Sequence, residues 1–171
     1  MRPVSGERWF PDSMPLPAAS RETLPWWQAA AQHRLVVQRC ENCGRYRHPP
    51  SPLCPHCRNW ASSWGEHPGT GTIYTFTRVH QPFLPGVALP YVVAVIDLDG
   101  LESDHVRLVT NIVDCDPDEV AIGLPVQVVW EDMGPDLALP RARLTAPSSG
   151  NWASLRPDAG KNPAQFPEAG V

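Results

Sequence analysis

The sequence predicts a mainly β protein in two parts, a small metal-stapled module followed by a small antiparallel barrel or sandwich. Three observations carry that prediction. Two Cys-x-x-Cys pairs, Cys40/Cys43 and Cys54/Cys57, stand ten residues apart. From Gly69 onward, short runs rich in Val, Ile, Thr, Tyr and Phe alternate with Gly, Pro and Asp turns, the texture of a chain that pairs strands with near neighbours. Prolines, 21 in 171 residues, crowd the first 25 positions, the 80–90 segment and the end, which leaves about 110 residues for the compact part.

In chain order, residues 1–22 show no hydrophobic period and contain four prolines, so an extended arm is expected, with Trp9 and Phe10 as its docking side chains. Residues 23–66 hold a helix and the cysteine module. The helix should begin near Thr23, with Pro25 in its first turn where a missing N–H costs little, and run to about His33. Trp26 and Trp27 fall on adjoining faces of so short an element that it needs something to pack against, either its own domain or a partner. Leu35–Arg39 reads as the strand that delivers the first cysteine pair, the 44–50 segment as a short strand with a proline-rich return, and Trp60 and Trp64 as brackets of a closing strand.

The cysteine pairs read as a structural zinc site. Each Cys-x-x-Cys turn places two thiolates on one metal, and four thiolates complete the tetrahedron with no position left for water. A thioredoxin-like redox pair needs one such turn after a strand of a βαβ unit, and no βαβ pattern is present. Two disulfides suit a secreted mini-domain, but Arg2 is not followed by the apolar run of a signal peptide. His48 and His56 are substitute ligands made unnecessary by the complete set, and His56 should face solvent. Cys115 reads as a small, partly buried side chain. A module of this size cannot bury enough apolar surface to hold itself together, so metal binding should supply its folding free energy, on the order of 10 kcal/mol.

Residues 67–145 should form the barrel. Thr70–Val79 is a strand with Tyr74 and Phe76 on one face; Tyr91–Leu98, nearly all apolar, should be central and buried on both sides; Val106–Val113 returns. Between the first two lies an eleven-residue connection with three prolines and Phe83, which suits an ordered, exposed loop. Asp116-Pro117-Asp118-Glu119 followed by Gly123 predicts one or two helical turns. Val126–Glu131 is a further strand and Ala138–Leu144 a last edge. Strands with a short helix before the late ones describe a five-stranded Greek-key barrel of the OB type. Residues 146–171 lack periodicity and should be disordered.

Charge separates the parts. Between His33 and Trp60 stand five arginines (Arg34, Arg39, Arg45, Arg47, Arg58) and one acid, Glu41. From Ala61 to Asp132, two arginines against eleven acids leave a net of −9. Phosphate binding depends on neutralising backbone charge, so this stretch argues against nucleic acid, although a zinc ribbon beside an OB barrel would otherwise suggest it. The basic ribbon can meet an anion or an acidic protein surface, a solvated basic face being the plain alternative. No apolar run reaches the length of a membrane span, and a soluble, cytoplasmic protein is expected. No Gly-rich phosphate loop, Gly-x-Ser-x-Gly or His-Glu-x-x-His occurs, and His80, His105 and Cys115 are as scattered as chance allows.

The residues that follow one another as Pro25-Trp26-Trp27, Leu35-Val36-Val37-Gln38-Arg39-Cys40-x-x-Cys43-Gly44, Pro52-Leu53-Cys54-Pro55-x-Cys57, Gly69-x-Gly71-Thr72-Ile73-Tyr74-x-Phe76, Pro90-Tyr91-Val92-Val93 and Asn111-Ile112-Val113-Asp114-x-Asp116-Pro117 closely resemble the acyl-CoA-associated OB-fold proteins with an N-terminal rubredoxin-like zinc ribbon. The resemblance covers roughly residues 23–133 and matches the four cysteines to that family's ligands. It implies a non-catalytic accessory subunit with a structural Zn2+. Its expected partner is a thiolase-superfamily enzyme, a ketothiolase or a steroid side-chain aldolase, with an enoyl-CoA hydratase as a further partner and acyl-CoA as a ligand shared with the partner. Trp26, Trp27, Arg45, Arg47 and Phe83 are the candidates for the surface that faces the partner or the acyl-CoA. The alternatives are a single-strand nucleic-acid-binding module and an independent acyl-CoA-processing enzyme.

Overall fold

The computed structural model describes residues 8–145 apart from positions 10, 12, 84, 102 and 103; the expected tail, 146–171, and the docking of Phe10 lie outside the described residues. Helix α1, Leu24–Ala30, carries Pro25 in its first turn. It ends earlier than the expected His33, because the chain turns back on itself there. The N–H of Arg34 bonds the carbonyl of Ala29 and the N–H of His33 that of Ala30, with His33 at φ 57°. That is the pattern in which a left-handed residue closes a helix, here without glycine.

A three-stranded antiparallel sheet follows, in the order β2-β1-β3: β1 is Leu35–Cys40, β2 Tyr46–Arg47 and β3 Ser62–His67. Strand β1 is buried at five of six positions: Leu35, Val36 and Val37 belong to the core shared with α1 and the barrel, and the buried Gln38 side chain accepts from the Ser51 N–H between the cysteine pairs. Trp64 lies inside β3 instead of bracketing it, and Trp60 is exposed before the strand begins.

Strands β4 (Thr70–Val79), β5 (Tyr91–Leu98), β6 (Arg107–Ile112), β7 (Pro125–Gly134) and β8 (Leu137–Leu144) close a barrel in the order β4-β5-β6-β8-β7, with β7 returning to β4. All pairs are antiparallel except β6–β8. The expected last edge, β8, is therefore no edge: it sits between β6 and β7 and removes the free row of backbone donors that an open sheet would present. Strand β5 is buried at alternate positions only, Val92, Ala94, Ile96 and Leu98. A closed barrel has one interior, so the β-branched residues between them are half-buried on the outside.

A bulge between Ile73 and Thr75 also corrects the expected shared face of Tyr74 and Phe76. The extra residue, Tyr74, is exposed with the Arg107 guanidinium 3.6 Å over its ring, whereas Phe76 is half-buried against the core. Two residues earlier, a Cβ on Gly71 would come within 2.4 Å of the Asp97 carbonyl oxygen, so the β4–β5 approach requires glycine there. The expected helical turn is a single 3-10 turn, Pro117–Glu119, capped by Asp116, whose side chain accepts from the N–H of Asp118. Arg78 donates from β4 to the carbonyls of Pro117, the first residue of the turn, and Val120, the residue after its last, and so ties the turn to the strand.

One contiguous core runs through the whole body. Trp26, Ala29 and Ala30 of α1 and Leu35–Val37 of β1 join the barrel interior of Ile73, Val92, Ile96, Leu108 and Val126. The helix packs on both β1 and β8 and so welds the ribbon to the barrel.

Candidate metal centre and the surfaces around it

The two cysteine turns are built alike. Gly44 N–H bonds the Cys40 carbonyl and Arg58 N–H the Cys54 carbonyl, each at 2.9 Å, and both closing residues have positive φ, 74° and 59°. Backbone N–H groups of the residues just beyond point at the sulfurs. Those of Asn59 and then the side chain of Asn42 hold the Cys57 thiol down at about 6, and those of Cys57 and His56 lower Cys54. At Cys43 the Arg45 N–H acts the same way, but burial and the proton shared with the other thiols outweigh it and push the value up to about 11. Donors aimed at sulfur favour the thiolate form that a metal requires.

All four sulfurs lie within 4.8 Å of one another. Cys40 and Cys57 are 3.5 Å apart and Cys43 and Cys54 3.7 Å. Zinc–sulfur bonds of about 2.3 Å give a tetrahedron with edges of about 3.8 Å, whereas a disulfide is about 2.05 Å. The donor set therefore fits Zn2+ and excludes the disulfide alternative, since every cysteine is free. Among the described residues no other group of three or more His, Cys, Asp or Glu is placed to hold a metal. His56 is exposed, as expected, and His48 packs against Trp26 with ring centroids 5.5 Å apart, away from any ligand role.

The five candidate surface residues divide. Phe83 is 81 % exposed at the tip of its loop, Arg45 is exposed, and Trp27 is half-buried. Trp26 and Arg47, expected on the same surface, are inside the molecule, 5 % and 9 % exposed. Trp26 meets Trp27 edge-on at 4.6 Å and lies against the core. Both tryptophans line a half-open, mainly apolar groove of about 520 Å³ between ribbon and barrel, with Pro49, Pro50 and Val109 on its walls and Arg141 at its floor.

Three features show partners that the sequence did not identify, although it singled out Trp9 as a docking side chain. The arm is fastened to the barrel: Trp9 donates its backbone N–H to Glu131 at 2.6 Å and its indole N–H to Asp114 at 3.0 Å. Glu131 in turn takes the Nε of buried Arg141 at 2.7 Å, and Arg141 reaches Asn111 at 2.8 Å. Asp104 of the acidic stretch accepts from the Tyr46 N–H at 2.8 Å and faces Arg45 at 4.0 Å, so part of the ribbon's positive charge is answered by the barrel. No described helix is long and apolar enough to cross a membrane.

Residues 27–60 match the ChsH2 rubredoxin-like zinc ribbon domain and residues 64–131 the ChsH2 C-terminal OB-fold domain. The chain is 43% identical over 133 residues to a probable enoyl-CoA hydratase alpha subunit of Thermomonospora curvata. It is 34% identical over 129 residues to the 3-oxo-4,17-pregnadiene-20-carboxyl-CoA hydratase alpha subunit of Mycobacterium tuberculosis. These alignments take in 78% and 75% of this chain but 40% of each relative, so the chain spans well under half of their length. A DUF35 domain-containing scaffold protein of Methanocaldococcus jannaschii is 33% identical, over 65% of this chain and 77% of its own. Among solved structures, a chain of an Ltp2-ChsH2(DUF35) aldolase has a TM-score of 0.68 and 43% identity, covering 75% of this chain and 98% of that one.

Proposed function

Because the chain belongs to the DUF35 family, whose members join a rubredoxin-like zinc ribbon to an OB-fold barrel, we propose that it is a non-catalytic accessory subunit of a thiolase-superfamily acyl-CoA enzyme. In this reading it binds and stabilises a ketothiolase or a steroid side-chain retro-aldolase and helps to channel the acyl-CoA, with an enoyl-CoA hydratase as a further partner. The observation that carries the reading is the likeness to the Ltp2-ChsH2(DUF35) aldolase chain over nearly all of that chain's length. The hydratase alpha subunits among the relatives support acyl-CoA chemistry as the setting.

The four-thiolate site suits this role because a closed tetrahedron builds a scaffold and offers no open position. The surface offered to a partner consists of Trp27, Arg45 and Phe83: an aromatic at the groove, a cation on the ribbon and an apolar loop tip. Co-expression with an Ltp2-type thiolase-like aldolase tests the proposal by native mass spectrometry of the pair and by the aldolase's melting temperature and turnover with and without this chain. A stoichiometric complex with raised stability and turnover is expected. An aldolase equally stable and active alone, with no complex at micromolar concentration, would refute it.

A further inference from the structure

Arg47 is the least expected side chain of the ribbon. It sits on β2 opposite Gln38 of β1, is 9 % exposed, and donates from Nη2 to the Ser51 carbonyl at 3.1 Å. Its Nε and Nη1 are buried and have no hydrogen-bond partner among the described residues. A guanidinium does not lose its proton in a protein, so burial cannot neutralise it, and a buried charge needs an opposite one nearby. Arg47 and the metal ligand Cys54 line the same cavity of about 130 Å³, together with Arg45, His56 and Asp104. Asp104 adds one carboxylate to this cavity, but it accepts from the Tyr46 N–H and faces Arg45, and no ion pair joins it to Arg47 among the described residues.

Among the described residues that line this cavity, the remaining source of negative charge is the metal centre itself. A divalent zinc held by four thiolates carries a net charge of −2, concentrated on sulfur. We propose that Arg47 is the buried countercharge of the zinc–tetrathiolate centre, acting across the cavity it shares with Cys54 to hold electron density on the sulfurs and to slow loss of the metal. The positive charge makes the thiolates poorer nucleophiles and poorer bases, so chelators, acid and oxidants displace the zinc more slowly. A small anion bridging Arg45, Arg47 and His56 is the competing occupant of the cavity. It would sit beside both Asp104 and the doubly negative centre, which disfavours it. The inference does not depend on the partnership proposed above.

The test uses the zinc-loaded full chain with Arg47→Met, Arg47→Gln and Arg47→Lys, and Arg45→Gln as the control on the same cavity. Zinc transfer to excess EDTA should be about tenfold faster or more in the Met and Gln variants, the lower end of what loss of an outer-sphere partner costs a metal site. The Lys variant should fall between, and Arg45→Gln should stay within about twofold of the parent. In cobalt-substituted protein, the thiolate-to-metal charge-transfer band should move to longer wavelength in the Met and Gln variants, because sulfur electrons lose a stabilising charge; it should not move in Arg45→Gln. If the Met variant does not fold, the Gln variant, which can still donate to the Ser51 carbonyl, decides the matter. Release rates and band positions unchanged from the parent would overturn the proposal. So would stoichiometric binding of inorganic phosphate that protects the zinc and disappears with Arg47, since the countercharge would then be an external anion.

Discussion

Lowering the pH from 7 to 5 should remove about 2 kcal/mol of folding stability through one residue, His48. Burial alone drives its imidazole down to about 4, against about 6.5 in an unfolded chain. Because the folded value is the lower one, the stability is fully present above about pH 6.5. It is lost as the pH falls, since the unfolded chain takes up the proton first, and the loss is complete below about pH 4. The gap of about 2.5 units corresponds to about 3.4 kcal/mol over the whole range. Zinc release at acid pH would add to the fall, so the readout is a difference. Urea unfolding followed by tryptophan fluorescence, at pH 7 and 5 with excess zinc, is compared for the parent and His48→Gln, which keep the same four cysteines. The parent should lose about 2 kcal/mol more than the variant. Equal losses would refute the reasoning. They would mean that the Trp26 ring, 5.5 Å from His48, stabilises the imidazolium as much as burial disfavours it.

Replacing Cys40 by Ser should abolish zinc binding, read by metal content, and unfold the ribbon, read by hydrogen exchange of β1 and β3. It should also lose the partner, and retention of an intact complex without zinc would show that the ribbon is not the docking element. Trp26→Ala should cost about 3–5 kcal/mol in chemical denaturation, because the side chain fills the joint between ribbon and barrel; a cost under about 1 kcal/mol would show that α1 does not weld them. Gly71→Ala should lower stability by about 1–3 kcal/mol, since its Cβ would collide with the β5 backbone. Glu131→Gln removes the carboxylate facing buried Arg141 and should cost about 3–5 kcal/mol, with loss of protection at the Trp9 N–H.

Much of the molecule was legible in the sequence because its signals are local. The ligand set follows from spacing, since Cys40/Cys43 and Cys54/Cys57 each fold on themselves within four residues, and the structure brings the four sulfurs within 4.8 Å. Strands β4 to β7 could be read from runs of β-branched residues between turns, and Asp116-Pro117 marked its own short turn. What an apolar or charged side chain meets across the fold is a different kind of information. Tyr74 and Phe76 look alike two residues apart, and only a bulge separates them. Ala138–Leu144 reads as an edge, and only its simultaneous pairing with β6 and β7 makes it the closing strand.

The same division holds at the metal centre. By itself the sequence determined which four side chains are placed to hold a metal, that the ribbon is basic and the following stretch acidic, and where most strands lie, because each depends on residues near one another in the chain. Tertiary structure alone decided that Trp26 is a weld and Trp27 a surface, that Trp9 fastens the arm to Glu131 and Asp114, and that Arg47 is inside the ribbon while Arg45 faces Asp104. The docking of Trp9 and the pairing of Arg45 with Asp104 rest on contacts between residues tens to more than a hundred positions apart. A side chain's burial and its charge partners are set by what packs over it, which no local pattern records.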